Sequence, residues 1–154
     1  MHKLKLFFGL SIICVAMLTG CQQSANGRLD EKSDQQSIPS SMDNVSIKMK
    51  KSIYSVSSDH IGVTIKNNSN EVIIANNQAH FEQNIKGTWY NVPLEEPKKQ
   101  TAEGHILPPK SSNDQQYSFK YVTTSLTAGK YRVVFSYAYD NKKYKVAAPF
   151  KLVK

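Results

Sequence analysis

Cysteine is nearly absent from this chain. Its 154 residues hold 2, too few for a disulfide-stapled scaffold or a four-thiolate zinc site. No apolar run reaches the length of a dedicated transmembrane helix. Acids are in the minority, 12 against 20 Lys and Arg, so the formal net charge is +8. No Gly-x-Ser-x-Gly elbow and no phosphate-cradling glycine loop occurs, and the histidines form neither an HxH nor an HExxH arrangement. These gaps leave no motif that specifies a reaction, and the sequence calls for no cofactor and no enzyme. What is present is a 40% apolar composition with 8 Tyr, 6 Phe and 1 Trp. That is too apolar and aromatic for a wholly disordered chain, and the length suits one modest domain plus targeting and linker segments.

The first segment, MHKLKLFFGLSIICVAMLTGC, places Lys3 and Lys5 before an apolar run from Leu6 to Thr19, then small residues before Cys21. That is the anatomy of a signal peptide, with a run too short to span a membrane. Leu18-Thr19-Gly20-Cys21 resembles the lipobox of bacterial lipoproteins, an aliphatic residue and two small ones ahead of a cysteine. The resemblance implies lipidation of the Cys21 thiol with palmitate-type chains and cleavage after Gly20. The protein would then be anchored at the extracytoplasmic face of the cell membrane. The competing reading is an ordinary secretory signal or short anchor with an incidental cysteine. Small side chains suit the site because a peptidase must grip an extended backbone there. Cys14 would leave with residues 1–20, and two of the positive charges with it.

Residues 21–43 are rich in Gln, Ser and Asp with few aliphatics. Such composition cannot bury enough surface to offset its ordering entropy, so it reads as a flexible tether about 25 Å long on a root-mean-square basis.

From Asn44 to Lys154 the pattern is alternation of period two. Val45, Ile47 and Met49 alternate with polar residues, as do Ile61, Val63 and Ile65. Asn67-Asn68-Ser69-Asn70 is a turn cluster, and Val72-Ile73-Ile74 opens another strand. Segments around Phe81 and Trp89-Tyr90 flank Lys86-Gly87 as a hairpin. Residues 93–105 form the longest polar connection, followed by Ile106-Leu107. Tyr117, Phe119 and Tyr121 read as one strand. The run Tyr131, Val133, Phe135, Tyr137, Tyr139 turns at Asp140-Asn141-Lys142 and returns through Tyr144 and Val146. Seven or eight short strands over residues 44–154 predict an all-β, Greek-key β-sandwich.

Leu126-Thr127-Ala128-Gly129-Lys130-Tyr131-Arg132-Val133 resembles the approach to a late strand of immunoglobulin-like domains. There a tyrosine at the strand start hydrogen-bonds back to the preceding corner. The resemblance makes Leu126, Gly129 and Tyr131 the structural corner and puts Val133 where antibody domains carry a disulfide cysteine. The wider order adds the strand Ile61–Lys66 running into Asn67-Asn68-Ser69, then Gly87-Thr88-Trp89. Ile106-Leu107-Pro108-Pro109-Lys110 and Ala148-Pro149-Phe150 follow. It is similar to the bacterial immunoglobulin-like domains of small lipoproteins from Bacillus-type bacteria. Lys110 departs from that pattern, standing where a glycine is expected. The resemblance implies a fold and a location, without a shared activity or functional residues.

The remaining chemistry-bearing residues have plain readings. His60, His80 and His105 read as surface or edge histidines, and Glu95, Glu96 and Glu103 as solvated loop carboxylates. Trp89 and Tyr90 read as core and hairpin packing. The C-terminal strands are strongly basic: Lys130, Arg132, Lys142, Lys143 and Lys145 form a candidate polyanion-binding set, interleaved with tyrosines. On an exported protein the matching polyanion is an anionic wall polymer or lipid headgroup, with no nucleic acid to meet. Lysines also guard sheet edges against unwanted pairing, which accounts for part of the pattern. The expected function is a lipid-anchored, non-catalytic binding domain for a surface protein or wall polymer. The alternative is a sandwich similar to the intracellular proteinase inhibitors of Bacillus, blocking exported proteases through residues 93–105.

Overall fold

Alternating side chains build two facing sheets whose inner rows are almost wholly apolar. A computed structural model describes residues 29–75, 80–95 and 104–154. The segment read as a signal peptide, Cys21, Glu96 and Glu103 lie outside the described residues. The strands are β1 (Ser41–Met42), β2 (Val45–Met49), β3 (Ile53–Ser55), β4 (His60–Asn67), β5 (Ile73–Ala75) and β6 (His80–Ile85). They continue with β7 (Thr88–Asn91), β8 (His105–Leu107), β9 (Ser111–Ser118), β10 (Gly129–Tyr139) and β11 (Lys142–Val153). One sheet runs β1-β2-β4-β9. In the larger sheet β10 pairs along its whole length with β11, and its other edge is shared by β5 and β6. β3 lies parallel to the end of β11, while β7 and β8 close the opposite side. The architecture is the expected two-sheet β-sandwich.

Its core holds Val45 and Ile47 with the β4 row Ile61, Val63 and Ile65 on one side, and Phe81 of β6 lies on the opposite sheet. That sheet also contributes Tyr131, Val133, Phe135 and Tyr137 of β10 and Val146, Ala148, Phe150 and Leu152 of β11. Aromatic contacts tie the sheets together: Phe119 lies 5.2 Å from Phe81 and 6.4 Å from Phe150 between ring centroids. Val133 is fully buried, so apolar packing occupies the place of a bridging cysteine.

Three tight hairpin turns carry paired left-handed residues, Asp43-Asn44, Lys86-Gly87 and Asp140-Asn141. Such turns match the twist of the strands they join, and Asn, Asp and Gly tolerate positive φ best. Lys110 adopts φ 54°, the conformation a glycine takes without steric cost, and its ammonium caps the Asn68 carbonyl at 2.7 Å. Asn67 is a latch rather than a turn residue. Its buried amide donates to the carbonyls of Glu71, Leu107 and Pro108 and accepts from Ser69. That closes every polar demand of a side chain with no access to water.

Two expectations change. The strand read through Tyr117, Phe119 and Tyr121 starts earlier, at Ser111, and stops at Ser118, where the Ser118 hydroxyl caps a single 3₁₀ turn over Phe119–Tyr121. β9 is an outer strand with one solvated face, so its polar run SSNDQQ satisfies the ladder with little apolar alternation to betray it. The second change concerns the tether. From Leu29 onward the chain is on the domain: Leu29 and Ser33 are buried, Lys32 bridges Tyr90, and Ser41–Met42 pairs with β2. The composition argument weighs apolar burial, whereas this segment is held by hydrogen bonds from its backbone and its Ser and Gln side chains.

Candidate binding face

The outer face of the larger sheet gathers the basic residues, and β10 shows why. Its inward side chains are Tyr131, Val133, Phe135 and Tyr137, so Lys130, Arg132, Val134, Ser136 and Ala138 point to the other side. Their partners across β11 are Lys151, Pro149, Ala147, Lys145 and Lys143. Yet Arg132, Val134 and Ala147 are buried. The N-terminal segment covers this middle stretch as a strap. It pairs with the free edge of β7 through Ser33 N–H to the Trp89 carbonyl and Asn91 N–H to the Glu31 carbonyl, 3.0 and 2.8 Å. It then crosses the sheet to β11, where the Ala147 N–H donates to the Pro39 carbonyl at 2.9 Å.

Arg132 is the clamp under the strap. Only 4% exposed, it donates from Nε to Glu82 Oε2 at 2.6 Å and from its terminal nitrogens to the carbonyls of Gln35 and Gln36. Its guanidinium lies 4.3 Å from the centre of the Trp89 ring, a cation–π contact with little water to weaken it. Glu82 also accepts from the Ser33 hydroxyl at 2.8 Å and sits 3.4 Å from His80 Nε2. Burial pushes its carboxyl up, and the hydrogen bonds from His80, Ser33 and Arg132, with the Arg132 charge, outweigh that and hold it below the ordinary glutamate value. Arg132 therefore leaves the expected polyanion set. A buried guanidinium committed to a carboxylate and two carbonyls has nothing to offer a ligand.

The strap also divides what the sequence reads as one basic surface. On one side lie Lys143 and Lys145, with Lys142 at the hairpin tip. On the other lie Lys130 and Lys151, directly opposite one another. The row through this second pair reads Ile53, Lys151, Lys130, Asn84, Trp89 across five strands and contains no acid. Beside it runs a groove of about 390 Å³ lined by Ile53, Trp89, Pro149 and the two lysines. Trp89 thus stands on the outside of the sandwich, in contrast to the core packing expected of it, while its neighbour Tyr90 packs against the core. Period two explains the split, since adjacent strand residues face opposite ways. Gln36 fixes Trp89 in place, its Oε1 accepting from the Trp89 N–H at 2.8 Å and its Nε2 donating to the Trp89 carbonyl at 3.1 Å.

The corner residues lie at the start of the same strand. The Tyr131 hydroxyl donates to the Thr127 carbonyl at 2.9 Å and accepts from the Thr127 N–H at 3.3 Å. Leu126 packs against the core, and Gly129 lies where an added Cβ would meet the Gln83 amide at 3.3 Å. The histidines do not converge. His60 is on the smaller sheet, His80 bonds Asn91 at 3.0 Å, and His105 bonds Asn113 at 2.6 Å. Among the described residues no group of three His, Cys, Asp or Glu could hold a metal ion. Glu95 donates its backbone N–H to the Tyr121 carbonyl. The segment expected to act in the inhibitor alternative lies mostly outside the described residues.

A family model for a bacterial Ig-like domain matches residues 41–151. No curated protein matches the chain in sequence. Among solved structures the chain is similar to a Pseudomonas fluorescens alkylpurine DNA glycosylase AlkC bound to DNA containing an abasic site analog. That likeness has 10% identity and a TM-score of 0.41, over 74% of this chain and 32% of that one.

Proposed function

The chain belongs to the bacterial Ig-like domain family, and from that premise we propose that it is a lipid-anchored interaction module working at the outer face of a bacterial cytoplasmic membrane. Domains of this family are typically non-catalytic, which supports reading the outer sheet face as a surface for binding. The observation that carries the anchoring is the run Leu18-Thr19-Gly20-Cys21 behind a charged and then apolar segment. Two acyl chains on Cys21 hold a protein firmly to a bilayer, where one holds it marginally. The partner in this reading is an anionic surface polymer, drawn by exposed lysines at both ends of the β10–β11 ribbon.

Fractionation of cells expressing the full chain tests the anchor. The native protein stays with membranes through an alkaline wash, and Cys21→Ala moves to the soluble fraction or the medium. A Cys21→Ala protein that remains membrane-bound after the wash overturns the lipidation.

A further inference from the structure

Lys130 and Lys151 face each other across the β10–β11 ladder, in the arrangement that places opposed Cβ atoms about 5 Å apart and sets like charges against one another. Neither ammonium has a hydrogen-bond or ion-pair partner among the described residues. The carboxylate on the adjacent row, Glu82, is already held by Arg132. A repulsive pair of this kind lowers stability when nothing lies between the charges, and an anion bridging them reverses the sign. The two lysines border a groove whose remaining walls are mostly apolar, with Trp89, Pro149 and the 53% exposed Ile53 among them and Ser52 as the added polar residue. Strap and clamp hold the Trp89 wall in position before any ligand arrives.

We propose that this groove binds one repeat of a polyol-phosphate or sugar-phosphate polymer. The phosphate sits between Lys130 and Lys151, and the C–H-rich polyol or sugar body lies against Trp89 and Pro149. Charge complementarity selects the phosphate, because two opposed ammonium groups match a doubly contacted anion. The flat ring and the proline select a ligand with an extended apolar face, in contrast to a bare ion or a fully hydrated chain. The proposal rests on the anionic-polymer reading above and adds to it a defined place, distinct from the hairpin-tip lysines.

Trp89 is the sole tryptophan, so emission excited where the tyrosines do not absorb reports on the surroundings of that one ring. The full chain in detergent solution is titrated with soluble poly(glycerol phosphate), neutral dextran, and phosphatidylglycerol vesicles. Poly(glycerol phosphate) is expected to change the Trp89 emission saturably, with neutral dextran giving no change. In Lys130→Gln/Lys151→Gln the affinity falls about tenfold or more, equal to about 1.4 kcal/mol or more. In Lys142→Gln/Lys143→Gln/Lys145→Gln it holds within about twofold. Thermal melts show that both variants are folded.

If the hairpin-tip variant loses binding and the groove variant keeps it, the groove proposal falls while the anionic-polymer reading stands. An equal response to dextran overturns the role of the lysines. Saturation by vesicles with no response to the polymer replaces the polymer with a lipid headgroup and overturns the occupant. If the native chain binds no polymer and no vesicle, both readings fail together.

Discussion

Arg132 and Lys130 are two positions apart in sequence and identical in formal charge, yet one is a structural clamp and the other an exposed ligand candidate. Register makes the difference: Arg132 lies opposite Glu82 and under the strap, whereas Lys130 lies opposite Lys151 in the open. The Glu82 carboxyl titrates below its ordinary value, so its contribution to stability is complete above the unfolded-state value. It is lost as pH falls through the lower folded-state value, when protonation leaves Arg132 a buried, uncompensated cation. Melting midpoints measured downward from neutral pH are therefore expected to fall steeply in the acid carboxylate range. Glu82→Gln, destabilised at neutral pH, should show a flatter profile there; parallel profiles would contradict this role for Glu82. At the corner, Tyr131→Phe removes a hydroxyl that both donates to and accepts from Thr127. A loss of about 1 kcal/mol in denaturant unfolding is expected, and an unchanged midpoint would mean the corner bond contributes nothing.

Among the elements, the β10–β11 hairpin is the most legible in the sequence. Five alternating inward residues, two left-handed turn residues and a return strand all state the same structure. β2, β4 and the Lys86-Gly87 hairpin are nearly as clear. β9 is hidden because an outer strand can be polar along most of its length, and β3 because three residues are too few to show a period. The strap is hidden for another reason. Ser33, Gln35 and Gln36 read as linker residues, and their partners Glu82, Trp89 and Arg132 lie about fifty to a hundred positions away. Trp89 is misplaced by the same blindness, since a lone aromatic beside a turn does not announce which sheet face it takes. Removing the strap's side-chain bonds with Ser33→Ala/Gln36→Ala is expected to lower stability by about 2 kcal/mol and to shift the Trp89 emission. A variant with native midpoint and native emission would show that the strap is held by its backbone alone.

At the scale of the whole molecule, the two sheets share one apolar core and differ in how their outer faces are covered. The four-stranded sheet supplies the apolar floor through Val45, Ile47, Ile61, Val63 and Ile65. Its outer face pairs Lys50 with Asp114 and also presents Lys48 and Lys66 to solvent. The larger sheet keeps its inner face for the core and leaves lysines unpaired on its outer face, divided by a strap that belongs to neither sheet's regular order. On the outer face of the larger sheet the basic residues therefore fall into two separate patches with a neutralised, buried arginine between them. That arrangement is invisible in a count of charges.

The route of the strap has a mechanical consequence. A pull arriving through the residues before Leu29 meets the Lys32–Tyr90 bridge and the Arg132 clamp before it meets any core strand. The core strands of β10 and β11, paired along their whole length, stay unloaded until the strap has come away. If the chain is anchored through Cys21, the strap is the first part of the domain to bear tension, and it stands between that pull and the β10–β11 ribbon.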